Sequence, residues 1–478
     1  MKKEINKNKE KSFSSINFKS FLSVVAVLVI IIAMCGILTI FIPQGQYLRD
    51  GNGQIIPDSF IKGSPKGIAF WRVITAPFRV FFADGGITII MISLFLLIMS
   101  GVFNLLDKTN GIKSIMDKML SKFKNKKCLI ICVCVLFFML FGSLFGLFEE
   151  LVTLLPFMVI FMLSLGFDTM TGLGVCLLAA CFGFSAAITN PFSIGIASSI
   201  AGISTLKGVW LRIIFFILIY AIVCSFILIY TKKISKDPKR SMTYKNDEIK
   251  RKSLSSTNID ESNNKAFKVY LTFFIVEFII LILSAVIRPI SGYAVPILAA
   301  TFLIGGIICG MIVVKEKKKV FIYIGKGALS MLPAVLLIAL ASSVNLIMQE
   351  SGILDTIMHF VIEKLQGKSI FVCILFIYAL ILFLQIFIGS ASAKIFLLMP
   401  ILLPICSVIG ISPSLLILVY CIADGFSDIV LPTNPVLLIS LSMSNVSYGK
   451  WLKWTWKIQL AVLALSLLIL FVGVQIGF

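Results

Sequence analysis

The sequence is poor in acidic residues, in charged residues of any kind and in histidine. It contains 22 Asp and Glu against 43 Lys and Arg, one His, and 14% charged residues in all. It has no His-Glu-x-x-His, no Gly-x-Ser-x-Gly and no phosphate-binding glycine loop, which argues against a membrane-embedded enzyme. The 11 cysteines lie almost wholly in apolar segments, without Cys-x-x-Cys spacing or histidine partners. Neither a disulfide framework nor a zinc or other metal site is therefore expected.

Apolar residues are abundant instead. They make up 59% of the 478 residues, with a mean hydropathy of +1.05, which is more than a soluble protein of this size can bury. Apolar runs of about 20 residues, the length that crosses a hydrocarbon layer of about 30 Å, recur through the chain. The first, at 21–42, lacks a signal-peptide cleavage site and is predicted to be a retained span. The sequence therefore predicts an all-α polytopic membrane protein in a lipid bilayer.

The apolar runs predict roughly nine transmembrane helices and a pair of re-entrant hairpins. The helices are placed at 21–42, 85–106, 172–203, 208–230, 267–288, 293–314, 326–349, 414–446 and 451–476. The hairpins are placed at 128–166 and 369–410, and each returns to the side of the membrane from which it enters.

The net charge of +21 indicates membrane topology rather than nucleic-acid binding, because the basic residues lie in loops between spans. With a cytoplasmic N-terminus, 32 of the 43 Lys and Arg fall in cytoplasmic segments, in agreement with the positive-inside rule. We therefore expect a protein of the cytoplasmic membrane with its C-terminus outside. The predicted domains are a basic N-terminus (1–20), the first span (21–42), an extracytoplasmic loop (43–84), a first repeat (85–230), a flexible, solvated cytoplasmic linker (231–266), further spans (267–325) and a second repeat (326–478).

An internal repeat is the most informative feature of the sequence. A shift of 244 positions places Thr189-Asn190-Pro191 on Thr433-Asn434-Pro435 without a gap. The same shift places Pro156 on Pro400, Gly166 on Gly410, Ala179 on Ala423, Phe182 on Phe426 and Trp210 on Trp454. An odd number of crossings in each repeat makes the second unit enter the membrane from the opposite side. The repeats are therefore predicted to be inverted.

The two Thr-Asn-Pro motifs are predicted to break the spans 172–203 and 414–446. The residue before proline is disfavoured in helical backbone angles, and proline itself lacks a backbone donor. Inside a membrane such a break is tolerated only where it is buried in protein or lines a watery cavity. One motif alone would indicate a packed proline kink, but two copies at equivalent positions favour a binding site. The breaks contribute Thr189, Asn190, Pro191, Thr433, Asn434 and Pro435 to this predicted site.

The hairpin tips supply the rest of the predicted site. They contribute Gly142 and Ser143 from the first hairpin, and Gly389 and Ser390 from the second, although helix packing is an equal explanation for Gly142. A charge at membrane depth costs about 2.5–3.5 kcal/mol, so charged residues there are rarely idle. The charged candidates are Glu149, Glu150, Lys394, Asp424 and Asp428. The alternative to substrate binding is an internal salt bridge of Lys394 with Glu150 or Asp428.

Four acids against one lysine make the predicted site acidic, which favours a cationic substrate. A basic amino acid fits this composition, because its carboxylate can meet the amides of a break while its side chain meets the acids. Binding of a coupling Na⁺ or H⁺ by the same acids is the alternative, and no other cofactor is expected. A channel is disfavoured, since inverted repeats with re-entrant hairpins suit alternating access.

The Gly-Ser tips, the paired Thr-Asn-Pro breaks and the long basic linker resemble the YfcC branch of the anaerobic dicarboxylate carrier family, in the ion transporter superfamily. The likeness covers residues 20–476. It implies an elevator-type secondary transporter whose scaffold often forms a homodimer, and the branch includes arginine/ornithine antiporters. The tips read Gly-Ser-Leu and Gly-Ser-Ala where dicarboxylate members carry Ser-Asn-Thr. Exchange of basic amino acids is therefore expected, with ion-coupled symport of four-carbon dicarboxylates or other organic anions as the alternative.

Overall fold

The computed structural model describes residues 18–478 apart from 49–58, 65–66, 84–85, 110, 112–125, 149, 256–261, 287–293 and 366. Most of the described chain is helical. The sheet within these ranges is a two-residue antiparallel pair, β1 (Gly45–Gln46) and β2 (Ile61–Lys62), in which Gly45 lies opposite Lys62.

The helices of the first half begin with the first apolar run and end with the helix that enters the linker. They are α1 (Phe18–Phe41), α2 (Phe70–Arg79), α3 (Gly86–Lys108), α4 (Lys127–Leu140), α5 (Leu155–Ser164), α6 (Thr169–Ser185), α7 (Pro191–Ile200) and α8 (Val209–Lys236). Wider helical turns extend α4 through Phe141–Phe145 and occur inside α6 and α7.

The helices of the second half begin within the linker and run to the end of the chain. They are α9 (Tyr244–Ser255), α10 (Ser262–Val286), α11 (Ala294–Val313), α12 (Lys317–Ser330), α13 (Leu332–Glu350), α14 (Ile353–Leu365), α15 (Ile370–Gln385), α16 (Ala391–Ile409), α17 (Pro413–Ser427), α18 (Pro435–Ser444) and α19 (Tyr448–Gln475).

Several of these helices have the length and composition of membrane spans. Among the described residues, 5 helices meet both conditions, namely α3, α4 with its extension, α8, α11 and α19. The pair α12 and α13, bent by 41°, makes a sixth. Large apolar side chains such as Ile30 and Phe78 are 60% and 73% exposed, a surface that suits lipid rather than water. The predicted all-α polytopic membrane protein is confirmed.

The structure has fewer continuous spans than the roughly nine crossings predicted. Two predicted spans are divided, 172–203 into α6 and α7, and 414–446 into α17 and α18. The second helix of each pair begins at a proline preceded by asparagine, and neither piece alone has the length of a span. The helix pairs α4–α5 and α15–α16 occupy the ranges of the two predicted hairpins, 128–166 and 369–410.

The two divided spans touch each other through α6 and α17. Cys181 Sγ donates to the carbonyl oxygen of Gly425 at 3.2 Å, and Ser185 Oγ donates to that of Ile422 at 3.0 Å. The glycine permits this approach, because a Cβ atom at position 425 would lie 2.8 Å from Cβ of Ser185. Positions 181 and 425 are 244 residues apart, the offset of the sequence repeat. A residue that contacts its own repeat equivalent lies where an approximate twofold axis would pass.

The first part of the linker forms a docked segment rather than the flexible, solvated loop that its composition predicts. Residues 237–255, here named the strap, contain a short 3-10 turn and α9. Asp247 accepts hydrogen bonds from the backbone N–H of Thr169 at 3.0 Å and from Thr243 Oγ1 at 2.6 Å. Lys250 Nζ donates to the carbonyl of Ser444 at 3.1 Å, and burial lowers the pKa of this ammonium, which the nearby Asp247 opposes. The strap therefore joins the start of α6 to the end of α18.

Candidate functional site

The first break lies between α6 and α7, and Asn190 caps the helix that follows it. Its side-chain Oδ1 accepts hydrogen bonds from the backbone N–H groups of Phe192 at 2.9 Å and Ser193 at 3.3 Å. These are donors that the first turn of a helix leaves unpaired. Pro191 occupies the first helical position, where its missing N–H costs no hydrogen bond. The sequence Asn-Pro therefore starts α7 at this residue, with the Asn190 side chain fully buried.

The first hairpin tip is bonded directly to this break. The carbonyl oxygen of Ser143 accepts from the backbone N–H groups of Ile188 at 3.0 Å, Thr189 at 3.3 Å and Asn190 at 3.1 Å. The hydroxyl of Ser143 donates to the carbonyl of Ala186 at 2.6 Å. The backbone groups that the break frees are thus paired with the tip, as burial away from water requires.

Two glycines allow the first tip to come this close. A Cβ atom on Gly142 would lie 2.8 Å from the backbone nitrogen of Phe184, and Gly146 ends the turn with a left-handed φ of +71°. Thr189 Oγ1 donates to the carbonyl of Leu144 at 3.1 Å, which adds a side-chain bond between break and tip. In this structure Gly142 and Thr189 hold the tip on the break.

The second break, between α17 and α18, is closed by its own backbone. The N–H of Asn434 donates to the carbonyl of Leu431 at 3.1 Å, and the N–H of Leu431 donates to that of Ser427 at 3.0 Å. The side chain of Asn434 caps α18 as Asn190 caps α7, accepting from the N–H groups of Val436 at 2.9 Å and Leu437 at 3.3 Å. The second break therefore needs no hairpin tip to satisfy these groups.

Helix α19 supports the second break from the other side. Trp451 Nε1 donates to the carbonyl of Ile429 at 2.8 Å, and Tyr448 OH donates to that of Val430 at 2.5 Å. Thr433 is 7% exposed beside the cap, and Pro435 occupies the first position of α18. The break and α19 thus form one packed unit.

Asp428 is the acid most closely associated with the second break. Its Oδ1 accepts from Asn434 Nδ2 at 2.8 Å and also from Gln385 Nε2. The carboxylate is 6% exposed and forms no ion pair among the residues that the structure describes. The side-chain oxygen of Gln385, Oε1, is buried without a hydrogen-bond partner. Two amides therefore orient a buried carboxylate that makes no direct ion pair with a described basic side chain.

Lys394 forms an ion pair with Asp424, and both side chains are buried, at 0% and 1% exposure. The lysine lies in the first turn of α16, just after the second tip, and Asp424 lies on α17. Of the two partners that the sequence suggested, Asp428 forms no ion pair with Lys394, and the side chain of Glu150 lies outside the described residues. An opposite charge at contact distance offsets the cost of burying each group. Asp424 therefore holds the direct ion pair, and Asp428 is the acid without one in the described part of the site.

The remaining two acids of the predicted site are not placed. Glu149 lies outside the described residues, and so does the side chain of Glu150, whose backbone begins the short 3-10 helix Glu150–Leu154. Their part in substrate binding stays a prediction.

The second hairpin tip is open where the first is closed. Gly389 and Ser390 are exposed, and no atom lies within 4 Å of the position that a Cβ on Gly389 would take. The hydroxyl of Ser390 accepts from the N–H of Ala393 at 3.4 Å and caps α16. Ser392 Oγ donates to the carbonyl of Phe192 at 3.3 Å, which brings this tip beside the first break.

Gln385 is a site residue that the sequence prediction missed. It is the last residue of α15 and lies in an apolar run three residues before the second tip. A lone amide at the end of a buried apolar helix is a usable signal, because a buried polar side chain needs a hydrogen-bond partner. Its partner, Asp428, is 43 residues away in the sequence and could not be identified from that signal.

Residues 21–475 match a protein family described as DcuC, C4-dicarboxylate anaerobic carrier. The chain belongs to this family. The YfcC-type resemblance expected from the tips, breaks and linker is thereby confirmed, and the protein is a multi-pass membrane carrier. An Escherichia coli K12 relative, named putative basic amino acid antiporter YfcC, is 25% identical over 378 residues, 77% of this chain and 74% of that protein. A Haemophilus influenzae relative, named only as an uncharacterized protein, is 29% identical over 398 residues, 82% and 77% of the two chains.

Two solved structures are similar to this DcuC-family chain at lower identity. The YdaH transporter of Alcanivorax borkumensis is 17% identical, with a TM-score of 0.42 over 96% of this chain and 98% of that chain. MtrF of Neisseria gonorrhoeae, described with a class of antimetabolite efflux pumps, is 17% identical, with a TM-score of 0.43 over 94% of each chain.

Proposed function

We propose that this carrier exchanges basic amino acids, of the arginine and ornithine type, across the cytoplasmic membrane. The observation that carries the proposal is Asp428, a buried carboxylate that is held by two amides and forms no direct ion pair with a described residue. A guanidinium or ammonium group is the partner that such a carboxylate lacks. The unpaired Oε1 of Gln385 adds a second acceptor for the same group. The name of the E. coli relative supports the same substrate class.

The family description favours a second candidate, ion-coupled symport of four-carbon dicarboxylates. A dicarboxylate needs cationic side chains or helix N-termini at both ends. In the described part of the breaks and tips the basic residue is Lys394, and Asp424 already holds it. In this alternative Asp428 binds the coupling Na⁺ or H⁺ and takes no part in substrate recognition.

The proposed mechanism is alternating access by inverted repeats. The 244-residue offset between Cys181 and Gly425, which touch, supports a twofold relation between the repeats. In the proposal the hairpins and broken helices move as one body against a scaffold, in an elevator motion, and the scaffold forms a homodimer. The N-terminus is cytoplasmic and the C-terminus extracytoplasmic.

Uptake of labelled arginine into proteoliposomes tests the proposal. Vesicles loaded with ornithine are compared with empty vesicles and with loaded vesicles under an imposed Na⁺ or H⁺ gradient. We expect arginine uptake to require internal ornithine and to be independent of the Na⁺ or H⁺ gradient. Gradient-driven entry of succinate without an arginine signal would overturn the proposal in favour of the symporter.

A variant identifies the residue responsible. Asp428→Asn keeps the size of the side chain but removes its charge, so we expect arginine uptake to be lost while the protein remains in the membrane. Asp237→Asn, a charge removal at a strap residue whose side chain is 47% exposed, is the matched control and should transport normally.

A further inference from the structure

The two breaks differ in what their capping asparagines leave unpaired. Both use Oδ1 to cap the following helix, so in both the Nδ2 group is the remaining donor. In the second break this donor is bonded to Asp428. In the first break, Nδ2 of Asn190 is buried and has no hydrogen-bond partner.

The repeat offset explains the difference. The position equivalent to Asp428 in the first half is Phe184, a buried aromatic residue that offers no acceptor. Burying an amide donor without a hydrogen-bond partner costs free energy. Such a group in a protein therefore indicates a binding position for a ligand, a water molecule or an ion. The first break thus has an excess donor, where the second has the excess acceptors Asp428 and Gln385 Oε1.

The orientation of the Asn190 amide is fixed by its surroundings. Oδ1 receives two backbone donors from α7, and a Cβ atom on Gly146 would lie 2.8 Å from the Cγ of Asn190. The first hairpin tip therefore closes the oxygen side of the amide. The nitrogen side stands at the N-terminal end of α7, where the helix dipole favours a negative charge.

We propose that Asn190 recognises the carboxylate of the substrate, so that the amino acid lies with its carboxylate at the first break and its cationic side chain at Asp428. This inference rests on the function proposed above. The contact of Ser392 with Phe192 brings the second hairpin beside α7, so both ends of a substrate are within one region of the protein. The asymmetry of an otherwise repeated site then matches the asymmetry of the substrate, which is anionic at one end and cationic at the other.

A pair of ligands and a pair of variants test the assignment. Ornithine and 1,4-diaminobutane differ by the carboxylate, and their affinities are measured by competition with labelled arginine and by thermal shift of the purified protein. The variant Asn190→Asp keeps an oxygen that accepts from Phe192 and Ser193, but it replaces the donor with a negative charge. The control Asn434→Asp makes the same change at the equivalent position, next to the cationic end.

We expect the wild-type protein to bind ornithine at least about tenfold more tightly than the diamine, because one charge-assisted hydrogen bond is at stake. Asn190→Asp should lose this preference, with weaker ornithine binding and equal or tighter diamine binding. Asn434→Asp should change both affinities by a similar factor and leave their ratio intact. Asn190→Ser, which retains a short capping oxygen, should show a smaller loss of preference than Asn190→Asp.

The outcomes separate the two proposals. Wild-type protein that binds neither ligand overturns the proposed function. Equal wild-type affinities for the two ligands, or an Asn190→Asp variant that loses both in proportion, overturns the role of Asn190 and leaves the function standing. Monodisperse elution and an unchanged melting temperature of the ligand-free variant show that its fold is intact.

Discussion

The first hairpin tip is sealed on its break, whereas the second is open. Ser143 is fully buried and its carbonyl receives three backbone donors from the first break. Gly389 and Ser390 are exposed, and the second break satisfies its backbone through Ser427 and α19. The first break therefore pairs its backbone groups with its hairpin tip, whereas the second break pairs them without its tip.

The charges are divided in the same way between the halves. Lys394, Asp424 and Asp428 all belong to the second half, and the first-half positions equivalent to the two aspartates are Ala180 and Phe184. Sequence repetition has preserved the break geometry, while the chemistry has become specific to each half.

The largest effect on stability is expected from the buried ion pair of the second half, which has no equivalent in the first. Lys394→Met leaves Asp424 buried without a counter-charge, and we expect a loss of about 3–5 kcal/mol of stability. The double variant Lys394→Met/Asp424→Leu should recover most of it, because neither member of the ion pair is then buried without the other. Thermal unfolding in detergent, followed by fluorescence-detected size exclusion, measures both. A single variant as stable as the wild type would contradict the pairing.

A smaller effect on stability is expected when the glycines of the two tips are replaced by alanine. Gly142→Ala places a methyl group against the backbone of α6, and overpacking of this kind costs about 1–3 kcal/mol. Gly389→Ala meets open space and should leave the unfolding temperature nearly unchanged. Equal losses in the two variants would mean that the tips are equally packed.

The serines of the two tips give a related contrast. Ser143→Ala removes a buried hydroxyl that bonds to Ala186 and Ile188, so we expect a loss of about 1–2 kcal/mol. Ser390→Ala removes one helix cap at an exposed position, where about 0.5–1 kcal/mol is expected. The ratio of the two losses, measured in the same unfolding assay, checks that the first tip is the more firmly held.

The smallest loss of stability is expected from a substitution in the strap. Lys250→Met removes hydrogen bonds to Thr169 and Ser444, but the stem of the side chain still packs. We expect a loss of about 1 kcal/mol or less, together with faster proteolysis between α8 and α10. Lys239→Met, an exposed change in the same segment, is the control and should be cleaved at the wild-type rate. No difference between these two variants would show that the strap contacts add nothing.

The elements that local chemistry dictates could be predicted from the sequence. In both breaks Asn-Pro starts a helix, since the asparagine cap and the missing proline N–H act within a few residues. The apolar composition also predicted the membrane class, because composition does not depend on contacts between distant segments. Contacts between distant segments could not be predicted. Glu150 and Asp428 were the predicted partners of Lys394, but in the described part of the chain the packing of α16 on α17 pairs it with Asp424.

The strap shows a different limit of composition. Lysine, serine and asparagine are typical of solvated loops, and the segment was expected to be one. Its polar side chains instead bond to the polar ends of α6 and α18, where membrane helices expose groups that require partners. The number of polar residues does not reveal whether they bond to water or to helix ends.

The strap would also limit the elevator motion proposed above. Its last described residue, Ser255, belongs to a segment bound to α6 and α18, while Ser262 begins α10, which packs on α11. Only residues 256–261 join the two, and a chain of that contour length reaches at most about 25 Å. In the proposed elevator motion, an insertion or deletion in this connection would therefore lengthen or shorten the largest displacement available to the body that the strap holds.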